Sequence, residues 1–265
     1  MAFTMHSHSG EFCPGHAADT LEAIILRAIA LGFKTIGLTE HMPRTHIDDL
    51  YPEEITPTTP PSTALSLFPP RHALYLTTAT ALRQKYAPHI HILIAFESEC
   101  PRPSYLPYTL HLASDPRIDY FIGSLHHVRS IPIDFDAATY HRARAACGGT
   151  EEGLWTEYFR ELRALVAETR PRVVGHVDLV RLYSEEEGRD EWIRMGGRFT
   201  FSDDSHGVAQ VGTNYLRGLD YLEGLGVTEL WTLERVGGGD GDGVKAELRE
   251  RSVTIAEFRA SLKLD

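Results

Sequence analysis

Histidine is the residue type whose placement stands out in this chain of 265 residues, which contains 14 of them. At six separate places a short apolar run ends in a histidine or an acidic residue that could bind a metal ion. These places are His6 with His8, His41, Glu97, His126, His176, and Asp204 with His206. Imidazole and carboxylate groups suit zinc, iron, manganese and nickel. The pattern therefore favours a metal site over a set of structural histidines.

The apolar runs before these residues alternate with helical segments, which is typical of an α/β barrel. We predict strands at 3–5, 34–38, 89–96, 120–124, 172–175, 198–202 and 229–233. We predict helices at 20–31, 72–86, 105–114, 154–169, 190–195, 215–225 and 255–262. The carboxyl ends of parallel barrel strands meet on one face. We therefore expect the six sets of polar residues to converge.

The number of candidate ligands indicates more than one ion, since about eight or nine nitrogen and oxygen ligands exceed what one ion takes. Two ions about 4 Å apart acidify a shared water and stabilise the oxygens of a phosphoryl group. The chain has no Gly-x-Ser-x-Gly elbow, no phosphate-binding glycine loop and no dinucleotide-binding motif. The sequence therefore predicts metal-dependent hydrolysis of a phosphoester.

The amino-acid composition restricts the kinds of molecule that the chain is expected to bind. The net charge is -11, with 37 acidic and 26 basic residues, which argues against nucleic-acid binding through bulk charge. A small anionic substrate remains compatible, because bound metal ions supply local positive charge. The three cysteines are too few for a disulfide framework, and neither a signal peptide nor an apolar run of about 18 residues is visible. We therefore expect a cytoplasmic protein without a membrane partner.

Residues 43–70 differ from the rest because they contain seven of the 15 prolines. We predict a long loop or insertion. It is either a lid over the site or a decorated surface segment, and the second interpretation is favoured.

Several short motifs occur in a fixed order along nearly the whole chain. They are His6-Ser7-His8, Cys13-Pro14-Gly15-His16-Ala17, Leu38-Thr39-Glu40-His41-Met42-Pro43, Phe96-Glu97-Ser98-Glu99, Gly123-Ser124-Leu125-His126-His127-Val128 with Ile131-Pro132-Ile133-Asp134-Phe135-Asp136, Gly175-His176-Val177-Asp178 and Ser202-Asp203-Asp204-Ser205-His206-Gly207. This ordered set resembles the PHP superfamily of metal-dependent phosphoesterases, and within it the longer eukaryotic histidinol-phosphate phosphatases.

The resemblance implies one domain over residues 1–265, folded as a distorted (β/α)7 barrel of the TIM-like type. It implies two or three divalent ions (zinc, iron or manganese), with Glu97 bridging two of them. The implied metal ligands are His6, His8, His16, His41, Glu97, His126, His176, Asp204 and His206. A hydroxide held by these ligands would attack the phosphorus of L-histidinol phosphate and release L-histidinol and phosphate, late in histidine biosynthesis.

Further residues receive weaker assignments. His206 or His176 could shuttle a proton, although ligation is the favoured role of both. Arg129, Arg181 and His127 are candidates for substrate binding, and the alternative for each arginine is a solvated surface position. Candidates for orienting the ligands are Glu40, Glu99, His127 and Asp178, each with a plain structural role as the alternative.

The chain departs from the family pattern after Ser184. A complete strand-and-helix unit is expected between the segments of His176 and Asp204, and no apolar strand is found between Ser184 and Arg198. The barrel would then lack one unit and leave two strand edges open. Two alternatives therefore stay open beside histidinol phosphate hydrolysis. One is a PHP phosphoesterase for another small phosphate or a nucleic-acid end, and the other is a non-catalytic metal-binding protein.

Overall fold

The computed structural model describes residues 1–184, 197–238 and 243–263. These residues form two compact units. Unit 1 comprises the described residues within Met1–Ala95, Pro116–Asp119 and Asp190–Asp265, and unit 2 those within Phe96–Asp115 and Tyr120–Arg189. The predicted helix at 190–195 lies outside the described residues.

The secondary structure alternates between strands and helices, as the sequence predicts. The strands are β1 (Phe3–Thr4), β2 (Thr35–Leu38), β3 (His91–Ser98), β4 (Tyr120–Gly123), β5 (His127–Val128), β6 (Ile131–Pro132), β7 (Val173–Val174), β8 (Glu229–Val236) and β9 (Glu247–Thr254). The helices are α1 (Leu21–Ala30), α2 (Pro61–Tyr86), α3 (Tyr105–Ala113), α4 (Ala137–Ala146), α5 (Glu151–Thr169), α6 (Tyr215–Gly224) and α7 (Ile255–Ser261). Helix α4 and strand β9 have no counterpart among the predicted elements.

Unit 1 contains parallel strands in the order β1-β2-β3. Phe3 pairs with Thr35, and Thr35 in turn pairs with His91. The strands are almost entirely buried. Tyr75 of α2 joins β2 to β3, because its hydroxyl lies 2.7 Å from the carbonyl oxygens of both Leu38 and Ala95. The parallel register brings the carboxyl ends of β1 and β2 together.

Helix α1 follows from local sequence signals. The side chain of Thr20 accepts a hydrogen bond from the Ala23 amide and caps the amino end. Its buried residues, among them Leu21 and Ala28, recur with helical spacing. Gly32 then ends the helix with a φ of +83°, a conformation that glycine adopts at little cost.

Helix α2 corrects the prediction for residues 43–70. The loop prediction is wrong over Pro61–Pro70, which are helical. Pro61 occupies the first helical turn, where a missing amide hydrogen costs nothing. Pro69 and Pro70 lie inside the helix, where proline normally breaks the hydrogen-bond ladder. Burial of Ala64 before them and of residues such as Tyr75 after them packs both halves of the helix into unit 1.

Unit 2 contains the parallel pair β4 and β7, with Ile122 opposite Val173. Helices α3, α4 and α5 belong to the same unit. A short hairpin of β5 and β6 turns at Arg129 and Ser130, whose φ values of +51° and +63° are those of a tight two-residue turn. The hairpin returns the chain to His126, whose carbonyl oxygen accepts a hydrogen bond from the Ile133 amide at 2.9 Å.

The strand predicted at 198–202 is not formed, and residues 197–204 have no regular secondary structure. The Trp231 amide donates to the Phe199 carbonyl oxygen at 2.7 Å, and the ring of Phe201 lies 4.8 Å from that of Tyr215. The apolar residues that suggested a strand therefore anchor an irregular segment by packing, without a strand ladder.

The described part of unit 1 ends in an antiparallel hairpin, in which Glu229 of β8 pairs with Thr254 of β9. Leu230 and Leu233 of β8 are buried, whereas β9 is mostly exposed. No described helix is both long and apolar enough to cross a membrane.

Candidate metal centre

In unit 1, one backbone bridge brings four candidate ligands together. Ser7 forms a parallel bridge with Ser205, and the His8 amide donates to the Ser205 carbonyl oxygen at 2.8 Å. His6 and His8 flank Ser7, and Asp204 and His206 flank Ser205, so the bridge brings these four residues close to one another.

Three side chains converge most closely. The Nε2 atoms of His6 and His8 lie 3.0 Å apart, and each lies 3.2 Å from Oδ1 of Asp204. Both imidazoles are buried. Nitrogen and carboxylate atoms at such separations surround one position that a divalent ion suits.

The other histidines of unit 1 stack around His8. Its ring centroid lies 4.3 Å from that of His41 and 4.6 Å from that of His206. A nitrogen atom of each of these three residues lies within 4.8 Å of the others, a spacing that could hold a metal ion. The ring of His16 lies 5.2 Å from that of His41 and 4.6 Å from that of His206. We call the six residues of this group the first cluster: His6, His8, His16, His41, Asp204 and His206.

His206 shows that the first cluster fits a metal ion. Its Nδ1 lies 2.7 Å from the carbonyl oxygen of Asp204, so Nδ1 carries the proton and donates it. Nε2 then has a lone pair, and this atom is buried without a hydrogen-bond partner among the described residues. Burial, followed by the nearby His8, lowers the pKa of His206 to about 3. A buried neutral imidazole with one lone pair is the form that binds metal.

The backbone of Asp204 is strained. Its φ is +48°, a region that non-glycine residues seldom occupy. Such conformations concentrate at functional sites, where the surrounding structure holds them in place. Here the neighbouring Ser205 is fixed by the bridge to Ser7.

Unit 2 holds a second cluster, formed by Glu97, His126 and His176. Oε1 of Glu97 lies 3.1 Å from Nε2 of His126 and 3.0 Å from Nε2 of His176. Glu97 is almost completely buried, and the two rings lie 4.8 Å apart. The structure therefore brings together three ligands that the sequence predicts at strand ends: Glu97 lies near the end of β3, and His126 and His176 follow β4 and β7.

A close backbone approach aligns the two histidine segments of unit 2. The Gly175 amide donates to the Gly123 carbonyl oxygen at 3.2 Å. A Cβ on Gly175 would lie 2.3 Å from Oγ of Ser124 and 2.8 Å from Cγ2 of Ile122. Only glycine lets the two strand ends approach this closely.

Asp134 orients His126, a role that the sequence reasoning missed. Its Oδ2 lies 2.9 Å from Nδ1 of His126. Nδ1 then donates to the carboxylate and leaves Nε2 for a cation beside Glu97. Burial lowers the pKa of His126, but Glu97 and Asp134 outweigh burial and raise it well above its usual range. Asp134 lies inside a recognised motif, and only the β5–β6 hairpin shows which residue it meets.

The sequence predicts that four residues orient the metal ligands: Glu40, Glu99, His127 and Asp178. Oε1 of Glu40 accepts hydrogen bonds from the amide and the hydroxyl of Ser9, at 3.0 and 2.6 Å, and so fixes the chain after His8. Glu99 and His127 are buried in unit 2, whereas Asp178 is exposed at the start of a 3-10 turn. For these four residues the orienting role stays a prediction.

The two candidate substrate arginines lie in different surroundings. The Arg129 side chain is 53% exposed, and it contacts Glu157 at 3.3 Å and the Ala146 carbonyl oxygen at 2.7 Å. Its guanidinium thus joins the hairpin turn to α4 and α5. Arg181 instead lies over the ring of Trp155, 4.9 Å from the centroid, and its Nε is buried without a partner among the described residues.

Comparison with known proteins identifies the family. The model of the PHP domain matches residues 4–199. The chain belongs to the PHP domain family, and the resemblance seen in the motifs is confirmed.

Two curated proteins that this chain resembles are both named as histidinol-phosphatases. The "probable histidinol-phosphatase" of Schizosaccharomyces pombe is 33% identical, with 92% of this chain and 94% of the relative covered. The histidinol-phosphatase of Saccharomyces cerevisiae is 24% identical, over 82% of this chain and 87% of the relative. The first match runs over 293 residues, more than the 265 of this chain, so the relative has residues without a counterpart here.

A solved structure shares the fold. A histidinol phosphate phosphatase from Lactococcus lactis, crystallised with zinc, L-histidinol and phosphate, aligns with a TM-score of 0.64 at 17% identity. The alignment covers 93% of this chain and 98% of that protein. The predicted α/β fold of the PHP type, a distorted TIM-like barrel, is therefore confirmed.

Proposed function

We propose that the chain is a metal-dependent phosphatase that hydrolyses L-histidinol phosphate to L-histidinol and phosphate, a step of histidine biosynthesis. The observation that carries the proposal is that each unit gathers three candidate ligands: His8, His41 and His206 in unit 1, and Glu97, His126 and His176 in unit 2. Imidazole and carboxylate ligands together suit zinc, iron or manganese.

The substrate assignment rests on the relatives. The two fungal relatives are named for histidinol-phosphatase activity, and one of them matches over nearly its full length. The related structure from Lactococcus lactis holds L-histidinol and phosphate together with zinc. A small phosphorylated substrate also agrees with a chain whose net charge of -11 disfavours nucleic acid.

We assign two or three divalent ions to nine ligands. These are His6, His8, His16, His41, Glu97, His126, His176, Asp204 and His206. When bound, the ions would activate water as the nucleophile and stabilise charge on the phosphoryl oxygens. Glu97, which faces two imidazoles with one oxygen, is suited to bridging two ions.

The protein side chains prepare this chemistry by fixing imidazole orientation. Asp134 accepts the Nδ1 proton of His126 and so leaves Nε2 of His126 for an ion. The carbonyl oxygen of Asp204 accepts the Nδ1 proton of His206 and so leaves Nε2 of His206 for an ion. Because Nδ1 of His206 is held by that carbonyl, ligation rather than proton transfer is the role that we assign to it. For His176 too, ligation is the favoured role, and proton transfer is the alternative.

Arg181 is the better candidate for the substrate phosphate. Its guanidinium is stacked on Trp155 and carries no ion pair within the described part of the chain, whereas Arg129 already contacts Glu157. Arg181 lies in a segment that begins at the second cluster and returns to Asp134, the partner of His126. His176 precedes it, and the Tyr183 hydroxyl donates to the Asp134 carbonyl oxygen at 3.4 Å.

Phosphate release from L-histidinol phosphate tests the proposal, with metal content measured on the same purified sample. We expect turnover that chelation abolishes and that zinc, manganese or iron restores. A preference for a nucleotide or a DNA end in a substrate panel would instead support another PHP phosphoesterase. Metal binding without hydrolysis of any ester would support the non-catalytic alternative.

A further inference from the structure

The proline-rich segment after His41 contains a rigid turn. A 3-10 helix, Pro52–Glu54, begins after Tyr51, whose amide donates to Oε2 of Glu54 at 2.7 Å. Nε of Arg44 lies 2.9 Å from both carboxylate oxygens of Glu54. Arg44 is buried, and its guanidinium lies over the Tyr51 ring, 4.6 Å from the centroid. Charge-assisted hydrogen bonds of this kind are stronger than neutral ones, so they hold the turn in place.

The fixed turn points one carboxylate at the first cluster. Oε1 of Glu53 lies 3.3 Å from Nδ1 of His16. The His16 ring contacts the rings of His41 and His206, so the same imidazole meets both Glu53 and other members of the first cluster. This is the arrangement in which a carboxylate accepts the Nδ1 proton and leaves Nε2 for a metal ion.

His16 needs such support more than the other histidines of the cluster. Its side chain is 41% exposed, whereas those of His6 and His8 are 6% and 0% exposed. Packing therefore does little to hold the His16 ring. The carboxylate of Glu53 is 24% exposed and is itself carried by the fixed turn.

The glycine before His16 leaves room for the turn. Gly15 has a φ of +88°, which disfavours any other residue. A Cβ at this position would lie 3.2 Å from the Glu53 carbonyl oxygen and 3.5 Å from the Glu53 Cβ. The two segments approach each other closely at the point where the carboxylate meets the imidazole.

We propose that Glu53 is a positioning residue for His16, and that the proline-rich segment serves the metal centre by supplying it. This role is distinct from the two that the sequence leaves open for the segment, a lid and a decorated surface segment. The proposal rests on the proposed function, because it takes His16 to be a metal ligand. Glu53 acts through His16 and touches neither the ions nor the substrate.

Cobalt(II) titration of the metal-free protein tests the proposal, with affinity measured by competition against a chelator and coordination followed by visible absorption. Glu53→Ala is expected to weaken one class of sites roughly 10- to 100-fold. Glu53→Gln is expected to lose less, since its amide oxygen still accepts the Nδ1 proton. Asp48→Asn is the matched control, because Asp48 lies in the same segment and its side chain is 75% exposed.

A double-mutant cycle tests whether Glu53 acts on the metal site through His16. In a His16→Ala background, Glu53→Ala should have no further effect on cobalt affinity, because the imidazole through which it acts is gone. An equal loss in both backgrounds, or wild-type affinity in Glu53→Ala, would overturn the inference. A wild-type protein that binds no cobalt would overturn the proposed function as well, so the two failures are distinct.

Discussion

The backbone amide of His8 donates a hydrogen bond to the carbonyl oxygen of Ser205, 2.8 Å away and nearly two hundred positions later in the chain. This bond joins the amino-terminal His-x-His motif to the Asp-x-His motif near the carboxyl end of unit 1. The imidazoles of His6 and His8 can therefore approach the carboxylate of Asp204. Residues 197–204 have no strand to support this approach. The Asp-x-His segment is held instead by this bridge and by a second bond, from the Ala18 amide to the His206 carbonyl oxygen at 2.7 Å.

Replacing Glu97 with Gln should abolish phosphate release. The carboxylate oxygen of Glu97 lies about equally far from Nε2 of His126 and of His176, so the substitution removes the charge that a cation between them requires. Turnover and metal content are measured together. The control is His46→Ala, since His46 is half exposed and caps a short 3-10 helix. Unchanged turnover in Glu97→Gln would argue strongly against a multinuclear site.

Replacing Asp134 with Ala should lower metal affinity about 10- to 100-fold, because His126 would lose the carboxylate that fixes its tautomer. Asp134→Asn should lose less, since its amide oxygen can still accept the Nδ1 proton. Isothermal titration with zinc measures both variants. Glu168→Gln is the control, because Glu168 is an exposed acid on α5 of the same unit. Equal zinc affinities in all three variants would mean that Asp134 does not support metal binding.

The strand-end histidines could be predicted because the information is local: an apolar run, then a polar ligand. The partners of those histidines could not. Asp134 meets His126 only because of a hairpin turn, and Glu53 meets His16 only because Arg44 fixes a distant segment.

The errors in the predicted elements have the same origin. Residues 198–202 look like a strand, yet packing of Phe201 replaces a ladder. Pro69 and Pro70 argue locally against a helix, yet burial on both sides of them maintains α2. Strand β9 is mostly exposed, so it lacks the apolar pattern that identifies strands.

Replacing Gly175 with Ala should destabilise unit 2 and reduce turnover. The new methyl group would lie within 3 Å of both Ser124 and Ile122, and overpacking of this kind costs about 1–3 kcal/mol. Urea unfolding of the metal-free protein measures the loss. Gly224→Ala is the control, because a Cβ there meets no atom within 4 Å. Equal stabilities of the two variants would contradict the close approach of β4 and β7.

Replacing Arg181 with Met should raise the KM for L-histidinol phosphate. A charge-assisted hydrogen bond contributes about 1.5–3 kcal/mol, which corresponds to a change of roughly 10- to 100-fold. Lysine should not restore binding fully, because it lacks the planar group that stacks on Trp155. Steady-state kinetics measure the variants beside Arg163→Met, an exposed position on α5. An unchanged KM in Arg181→Met would exclude Arg181 from phosphate binding.

Replacing Arg235 with Met should destabilise unit 1 away from the metal ligands. Asp119 is buried, and its carboxylate accepts hydrogen bonds from Arg83 at 2.7 Å, from Arg235 at 3.0 Å and from the Ile94 amide at 2.8 Å. Burial nevertheless raises the pKa of Asp119 above its usual value. Loss of one arginine should cost about 1.5–3 kcal/mol, because Arg83 still balances the charge.

This loss should depend on pH in a defined direction. An acid whose pKa is higher in the folded than in the unfolded protein loses stability as pH rises from the unfolded value through the folded one. Removing Arg235 raises the pKa of Asp119 further, so the difference from wild type should be smaller near pH 4 than near pH 7. Urea unfolding at both pH values tests this, with Arg249→Met as the control, because the Arg249 and Glu247 side chains of β9 are 61% and 65% exposed. A loss that is the same at both pH values would mean that Arg235 acts through packing and not through the charge of Asp119.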